Sequence, residues 1–182
     1  MKVTENNSVG RSLENIEKSQ LSEKARSAVV VSFGRLNPPT TGHEKLVDKV
    51  QSVAKGKGAD AQVYMSHSAD KKKNPLAYKD KFKFAKKAFG SVIKQSNART
   101  IMQVLAELDS QYDEAYIVVG SDRVGEFDKL VQKYNGKDYN YSKIEVVSAG
   151  ERDPDAEGVS GMSASKLRAL AVEGNYNQFK TG

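Results

Sequence analysis

The chain contains no cysteine. A disulfide framework, a thiol nucleophile and a cysteine-based zinc site are therefore excluded, and any chemistry must come from oxygen and nitrogen groups. Its two histidines cannot by themselves complete a three-ligand zinc site, so no metal is assigned to them. Long apolar runs are also lacking: stretches such as Ala28–Val31 fall far below the roughly 20 residues that cross a bilayer. The first residues have no apolar stretch of the kind that marks a secretory signal. The expectation is a cytoplasmic protein with no membrane partner, and the lack of cysteine is compatible with that reducing compartment.

What remains is 182 residues, 38% of them hydrophobic, enough for one core and one domain. Residues 1–27 read as a polar N-terminal extension with a weak helical pattern at Leu13, Ile16 and Leu21, and residues 28–182 as the domain. The formal net charge of +6 is concentrated: between Asp70 and Lys87 eight lysines stand against two aspartates, which accounts for the whole excess. A local cluster of this kind suits a phosphate-binding surface, or a solvated helix face, better than a general nucleic-acid binder.

From Ala28 onward, short β-branched runs alternate with amphipathic segments, the pattern of a parallel sheet covered by helices. Strands are expected at Ala28–Phe33, Ala61–His67, Ser91–Lys94, Glu114–Val119 and Lys143–Val147. Helices are expected at Glu44–Lys55, where Leu46, Val47, Val50, Val53 and Ala54 share one stripe, and at Tyr78–Phe89, with Tyr78, Phe82, Ala85, Ala88 and Phe89 inward and the lysines outward. Thr100–Leu108, Glu126–Tyr134 and Ser163–Glu173 complete the set, the last with Ser163 as N-cap and Gly174 just past its end. The expected fold is an α/β three-layer sandwich, a mostly parallel five-stranded sheet with helices on both faces.

The first strand runs into Phe33-Gly34-Arg35-Leu36-Asn37-Pro38-Pro39-Thr40-Thr41-Gly42-His43, after which a helix begins. Ligands of open α/β sheets collect beyond the carboxyl ends of the strands, where helix N-termini point at them. Gly34 is expected to let the backbone approach a ligand, the prolines to stiffen the loop, and Gly42 to leave room beside His43. His43, in the first helical turn, gains from the helix's positive end in holding a phosphate. Far downstream, Gly161-Met162-Ser163-Ala164-Ser165-Lys166-Leu167-Arg168 places two hydroxyls at a helix start and a cation one turn on. That element is either a simple cap or a second phosphate site.

Together these strings resemble the signature of the HxGH nucleotidyltransferase superfamily, with the motif on Thr40-Thr41-Gly42-His43 and the family's ISxTxxR element on Met162–Arg168. Thr40 stands where many members carry the first histidine and others carry threonine. The resemblance spans roughly Val29 to Glu173, and the string is also similar to cytidylyltransferase-like proteins of large tailed bacteriophages. It implies a Rossmann-like fold and transfer of AMP or CMP from a nucleoside triphosphate to a small phosphorylated acceptor, with release of pyrophosphate. Gly120-Ser121-Asp122 resembles the Gly-x-Asp that borders the nucleotide in this family, and Lys71-Lys72-Lys73-Asn74-Pro75 lies where members keep a phosphate-contacting lysine.

What the resemblance implies for the site is as follows. His43, Thr40 and Lys73 act on the transferring phosphate. Phe33, Gly34, Arg35, Gly42, Gly120, Asp122, Met162, Ser163, Ser165 and Arg168 surround the nucleotide, with Arg35 equally open to a surface ion pair. Lys72 and His67 contact the acceptor, and Lys73 is preferred over its neighbours because the Asn-Pro turn beside it would hold it. Magnesium arrives with the triphosphate. A homo-oligomer stays open, as do ATP or CTP, and pantetheine phosphate, nicotinamide mononucleotide or a sugar or polyol phosphate as acceptor. Two rival readings stand beside this one. A class I aminoacyl-tRNA synthetase core shares similar signatures but needs a longer chain; a nucleotide-binding or virion-associated protein would keep the fold without turnover.

Overall fold

The computed structural model describes residues 27–71, 73–150 and 163–181; the expected N-terminal extension up to residue 26 and the expected nucleotide contact Met162 lie outside them, as does Lys72. Four strands, β1 (Ala28–Gly34), β2 (Asp60–Met65), β3 (Glu114–Val119) and β4 (Lys143–Ser148), form one sheet in the order β2-β1-β3-β4, parallel at every pairing. The helices between them are α1 (Thr41–Lys57), α2 (Tyr78–Phe89), α3 (Ile101–Leu108), α4 (Val124–Tyr134), α5 (Ala164–Val172) and a last turn, α6 (Tyr176–Phe179).

Each central strand is apolar on both faces because both are covered, as parallel sheets require. Val29 and Val31 of β1 with Ala115, Ile117 and Val119 of β3 pack on Val104 and Leu105 of α3 and on Phe127 and Val131 of α4. Val30 with Val63, Met65, Tyr116 and Val118 packs on Val47, Val50 and Ala54 of α1 and Ala85 of α2. The period-two alternation of the strands thus feeds two cores, each fully buried side chain contributing about 1.5–3 kcal/mol. The result is the expected three-layer α/β architecture, broadly Rossmann-like.

Four strands stand where five were expected. Instead of extending from Ser91 to Lys94, the chain winds a 3₁₀ turn over Gly90–Val92, with Gly90 at φ 73°, and touches the sheet once, at the Val63–Ile93 bridge. Lys94 N–H donates to Val63 O at 3.0 Å, and Ile93 is buried against the edge of β2. β2 also ends earlier than expected, since Ser66 N–H makes the last bond across to Gly34 O (2.9 Å) and His67 lies beyond the strand. Helix α1 starts before Glu44, at Thr41, and runs through Gly56 to end at Gly58, whose φ of 62° is the left-handed conformation that glycine tolerates best.

The α2 stripe holds at Tyr78, Phe82, Ala85 and Phe89, but two positions differ. Ala88 faces outward, and Lys81 is fully buried where an outward lysine was expected.

A band of tyrosines lies among the buried residues. Tyr64 O–H donates to Gln62 Oε1 (2.5 Å), Gln62 Nε2 to Tyr112 Oη (2.8 Å), Tyr112 O–H to Asp60 Oδ2 (2.6 Å), Tyr141 O–H to Leu105 O (2.6 Å) and Tyr139 O–H to Val131 O (2.8 Å). Burial raises all of these phenols above their ordinary pKa, Tyr64 to about 12, with the nearby Glu107 adding to the effect. The native state therefore keeps protons that the unfolded chain releases near pH 10. Their stabilising contribution is complete below about pH 10 and is lost as the pH rises from there through about 12. Lys81, whose pKa burial lowers, works in the opposite sense, but as one group. Urea midpoints should accordingly fall above pH 10, with the phenolate absorbance of these four buried tyrosines appearing together with unfolding; their full titration near pH 10 without loss of fold would contradict this account.

Candidate functional site

The site candidates lie at the carboxyl ends of β1, β2 and β3, and what organises them is the loop between β1 and α1. Leu36 folds back over Gly34: it has a φ of 42° yet is buried, and a Cβ on Gly34 would stand 2.9 Å from its Cδ1. The space that a side chain on Gly34 would need is occupied by Leu36. A left-handed Leu costs about 1 kcal/mol or more, which burial of its side chain offsets.

Asn37 follows, also buried, across a cis peptide to Pro38. Its side chain pairs reciprocally with the backbone of Leu76, accepting from Leu76 N–H (3.1 Å) and donating to Leu76 O (3.0 Å). Its carbonyl receives Arg168 Nη1 at 2.7 Å. One residue therefore ties together the first loop, the segment after β2 and helix α5, 131 positions along the chain.

His43 occupies the third position of α1, with Thr40 as N-cap. Thr40 N–H donates to His43 Nδ1 (3.1 Å), and Thr40 Oγ1 lies 2.8 Å from the same nitrogen. The ring takes the part that a glutamate plays in a capping box. A backbone N–H can only donate, so Nδ1 is an acceptor, and the proton of the neutral imidazole sits on Nε2. Thr40 itself is buried, whereas Gly42 is exposed.

Ser163 caps α5 by accepting from Lys166 N–H (3.2 Å), and Ser165 Oγ accepts from Arg168 Nη2 (3.0 Å). Arg168 thus braces α5 against the first loop through Nη1, while Nη2 is held within α5 by Ser165. Gly120 follows β3, and Asp122, in the 3₁₀ turn Ser121–Arg123, folds its carboxylate back so that a Cβ on Gly120 would meet Oδ1 at 2.7 Å. Phe33 packs into the core on the α3 and α4 side, and Arg35 is exposed. Among the described residues the ion pair is Lys143–Glu145 (3.6 Å), which leaves Arg35 outside any such pair there.

Beyond β2, His67 stacks on Tyr78 with ring centroids 3.9 Å apart and rings 7° from parallel. Its Nε2 lies 2.9 Å from Ser96 O and, facing a carbonyl, donates. Asp70 and Asn74 pair antiparallel, and Asp70 accepts from Lys73 N–H (2.6 Å) and Asn74 Nδ2 (2.5 Å), holding exposed Lys73 in a tight turn. Two surface grooves, along α4 at Gly125–Lys133 and beside α6 at Leu170 and Phe179, share no residue with the site.

Asn37 and Lys81 are residues to which the sequence reading gave no role. Asn37 lies within the motif, but a buried asparagine with two backbone partners leaves no periodic trace. Lys81 did leave one: it falls three residues after Tyr78 and four before Ala85, on the apolar stripe. Comparison with protein-family models and with curated proteins finds no match.

Replacing Asn37 tests the tie. Asn37→Ala leaves both Leu76 backbone groups without their partner and should cost about 2 kcal/mol, whereas Asn37→Asp, which keeps one acceptor, should cost less in urea unfolding. Equal and negligible losses in the two variants would show that the loop holds its form without that side chain.

Proposed function

We propose that the protein is a nucleotidyltransferase that moves AMP or CMP from a nucleoside triphosphate to a small phosphorylated acceptor. The observation that carries this reading is the 2.7 Å bond from Arg168 to Asn37 O, because it brings the serine-capped start of α5 to the loop that ends in His43. In this reading the N-termini of α1 and α5 face one ligand, and each favours bound anions.

In this reading an acceptor phosphate oxygen attacks the α-phosphorus and forms a new P–O bond. The bond to the α–β bridging oxygen breaks, and pyrophosphate leaves with that electron pair. No protein nucleophile is required, so catalysis rests on alignment and on donors placed where charge develops. His43, held by Thr40 in the tautomer with the proton on Nε2, would donate to an α-phosphate oxygen. Ser163, Ser165 and Arg168 would hold the β- and γ-phosphates, and Lys73 would neutralise charge between donor and acceptor. Magnesium would enter on the triphosphate, with substrate oxygens as its ligands.

The decisive assay is pyrophosphate release from ATP and from CTP with pantetheine phosphate, nicotinamide mononucleotide and glycerol phosphate as acceptors. His43→Ala should lower turnover about a hundredfold or more with folding intact, the scale of losing one transition-state donor. Unchanged turnover would remove His43 from the mechanism, and thermal stabilisation by triphosphates without any release would favour a binding protein instead.

A further inference from the structure

Lys81 is the largest fully buried side chain among the described residues, although lysine is almost never buried without a partner. Its partners are backbone oxygens: Nζ donates to Ser66 O at 2.6 Å and to Ser68 O at 3.3 Å. Both belong to the first residues after β2, just where the chain leaves the sheet. No carboxylate is bonded to this ammonium among the described residues. Two carbonyl dipoles thus stand in for a counter-ion, at a desolvation cost that is felt as a lowered pKa.

The segment so gripped is tied at each end and closed in the middle. Ser66 N–H bonds Gly34 O at its start, Leu76 pairs with Asn37 at its end, and the Asp70–Asn74 turn carries Lys71 and Lys73 at an exposed tip. Inside it lie Ser66 Oγ and Asn74 Oδ1, the buried side-chain polar atoms without a hydrogen-bond partner among the described residues. Asn74 cannot relieve this by flipping its amide, because its Nδ2 must face the Asp70 carboxylate. Two such atoms in one short segment make it the part of the fold with the least polar pairing to spare. A rigid tip therefore depends on what anchors its base, and the base is anchored by Lys81.

We infer that Lys81 is a positioning residue: its buried ammonium sets the form of the 66–76 segment in which Lys71 and Lys73 meet the phosphate of an acceptor. This rests on the nucleotidyl-transfer reading for the source of the phosphate, but not for the dependence of the tip on Lys81. The segment, rather than the triphosphate site under α1 and α5, would then decide acceptor affinity.

The test uses the full chain with Lys81→Met and Lys81→Arg, inorganic phosphate as the probe, and amide hydrogen exchange along 66–76 as the readout. In the wild-type protein, phosphate should slow exchange at Lys73 and Asn74. Lys81→Met should speed exchange in the segment and weaken phosphate about tenfold, equal to about 1.4 kcal/mol. ATP and CTP affinity should fall less than phosphate affinity, because Lys81 bonds Ser66 O and Ser68 O at the base of the segment and neither the first loop nor α5. Lys81→Arg, which keeps charge and donors, should restore most of the phosphate affinity. If Lys81→Met does not fold, Lys81→Arg carries the test with Lys81→Gln, which keeps an N–H donor without the charge and should fall between the two. Unaltered exchange and phosphate affinity in these variants would overturn the proposal, as would a wild-type segment indifferent to phosphate. Failure to bind either triphosphate would sink the nucleotidyltransferase reading alone.

Discussion

The arrangement at the carboxyl end of the sheet depends on a single buried amide. Asn37 is almost wholly out of water, so each of its polar atoms must find a partner or cost about 1–3 kcal/mol. It finds them in the Leu76 backbone and offers its carbonyl to Arg168. These are segments from three distant parts of the chain, and none belongs to the sheet. Their mutual placement follows from hydrogen-bond satisfaction, while the hydrophobic effect fixes only the platform on which they stand. Gly34 and Leu36 set up this geometry: the glycine leaves space, the leucine enters it in an uncommon backbone conformation, and Asn37 is turned inward as a result.

Much of the platform was legible in the residues. The runs at Val29–Val31 and Ala115–Val119 lack polar alternation, which is what burial on both faces demands, and they do pair as parallel neighbours. The cap expected at Ser163 forms, and Thr100, expected as the first helical residue, caps α3 instead, whereas α1 and α4 begin before the expected Glu44 and Glu126. The fifth strand failed for a local reason. Gly90 at positive φ starts a 3₁₀ turn that uses up the residues a strand would need, so contact with β2 is limited to Ile93 and Lys94. Propensity over four residues carries no information about such a turn.

The candidate site was legible in a different measure. The Gly42-His43 pair and the Ser163 cap could be located because helix starts have residue preferences, and the order of the elements along a parallel sheet puts their N-termini on one side. What could not be read was which side chains turn inward to hold the loops. Arg168 was expected to meet phosphate, yet its visible bonds are to Asn37 and Ser165. Lys81 was grouped with seven other lysines by charge, although its neighbours at Tyr78 and Ala85 place it on the buried stripe. Charge counting treats lysines as equivalent; the helix does not.

The unfinished fifth strand has a meaning for how the molecule meets copies of itself. An open strand edge is a template that another chain can extend. Ile93 and Lys94 occupy the β2 edge at Val63, a plug rather than a partner strand, while the β4 edge presents the charged pair Lys143 and Glu145. Each margin of the sheet is blunted by a different device, one steric and one ionic. A change that made β4 uniformly β-branched would remove this charge and favour pairing of that edge with another strand.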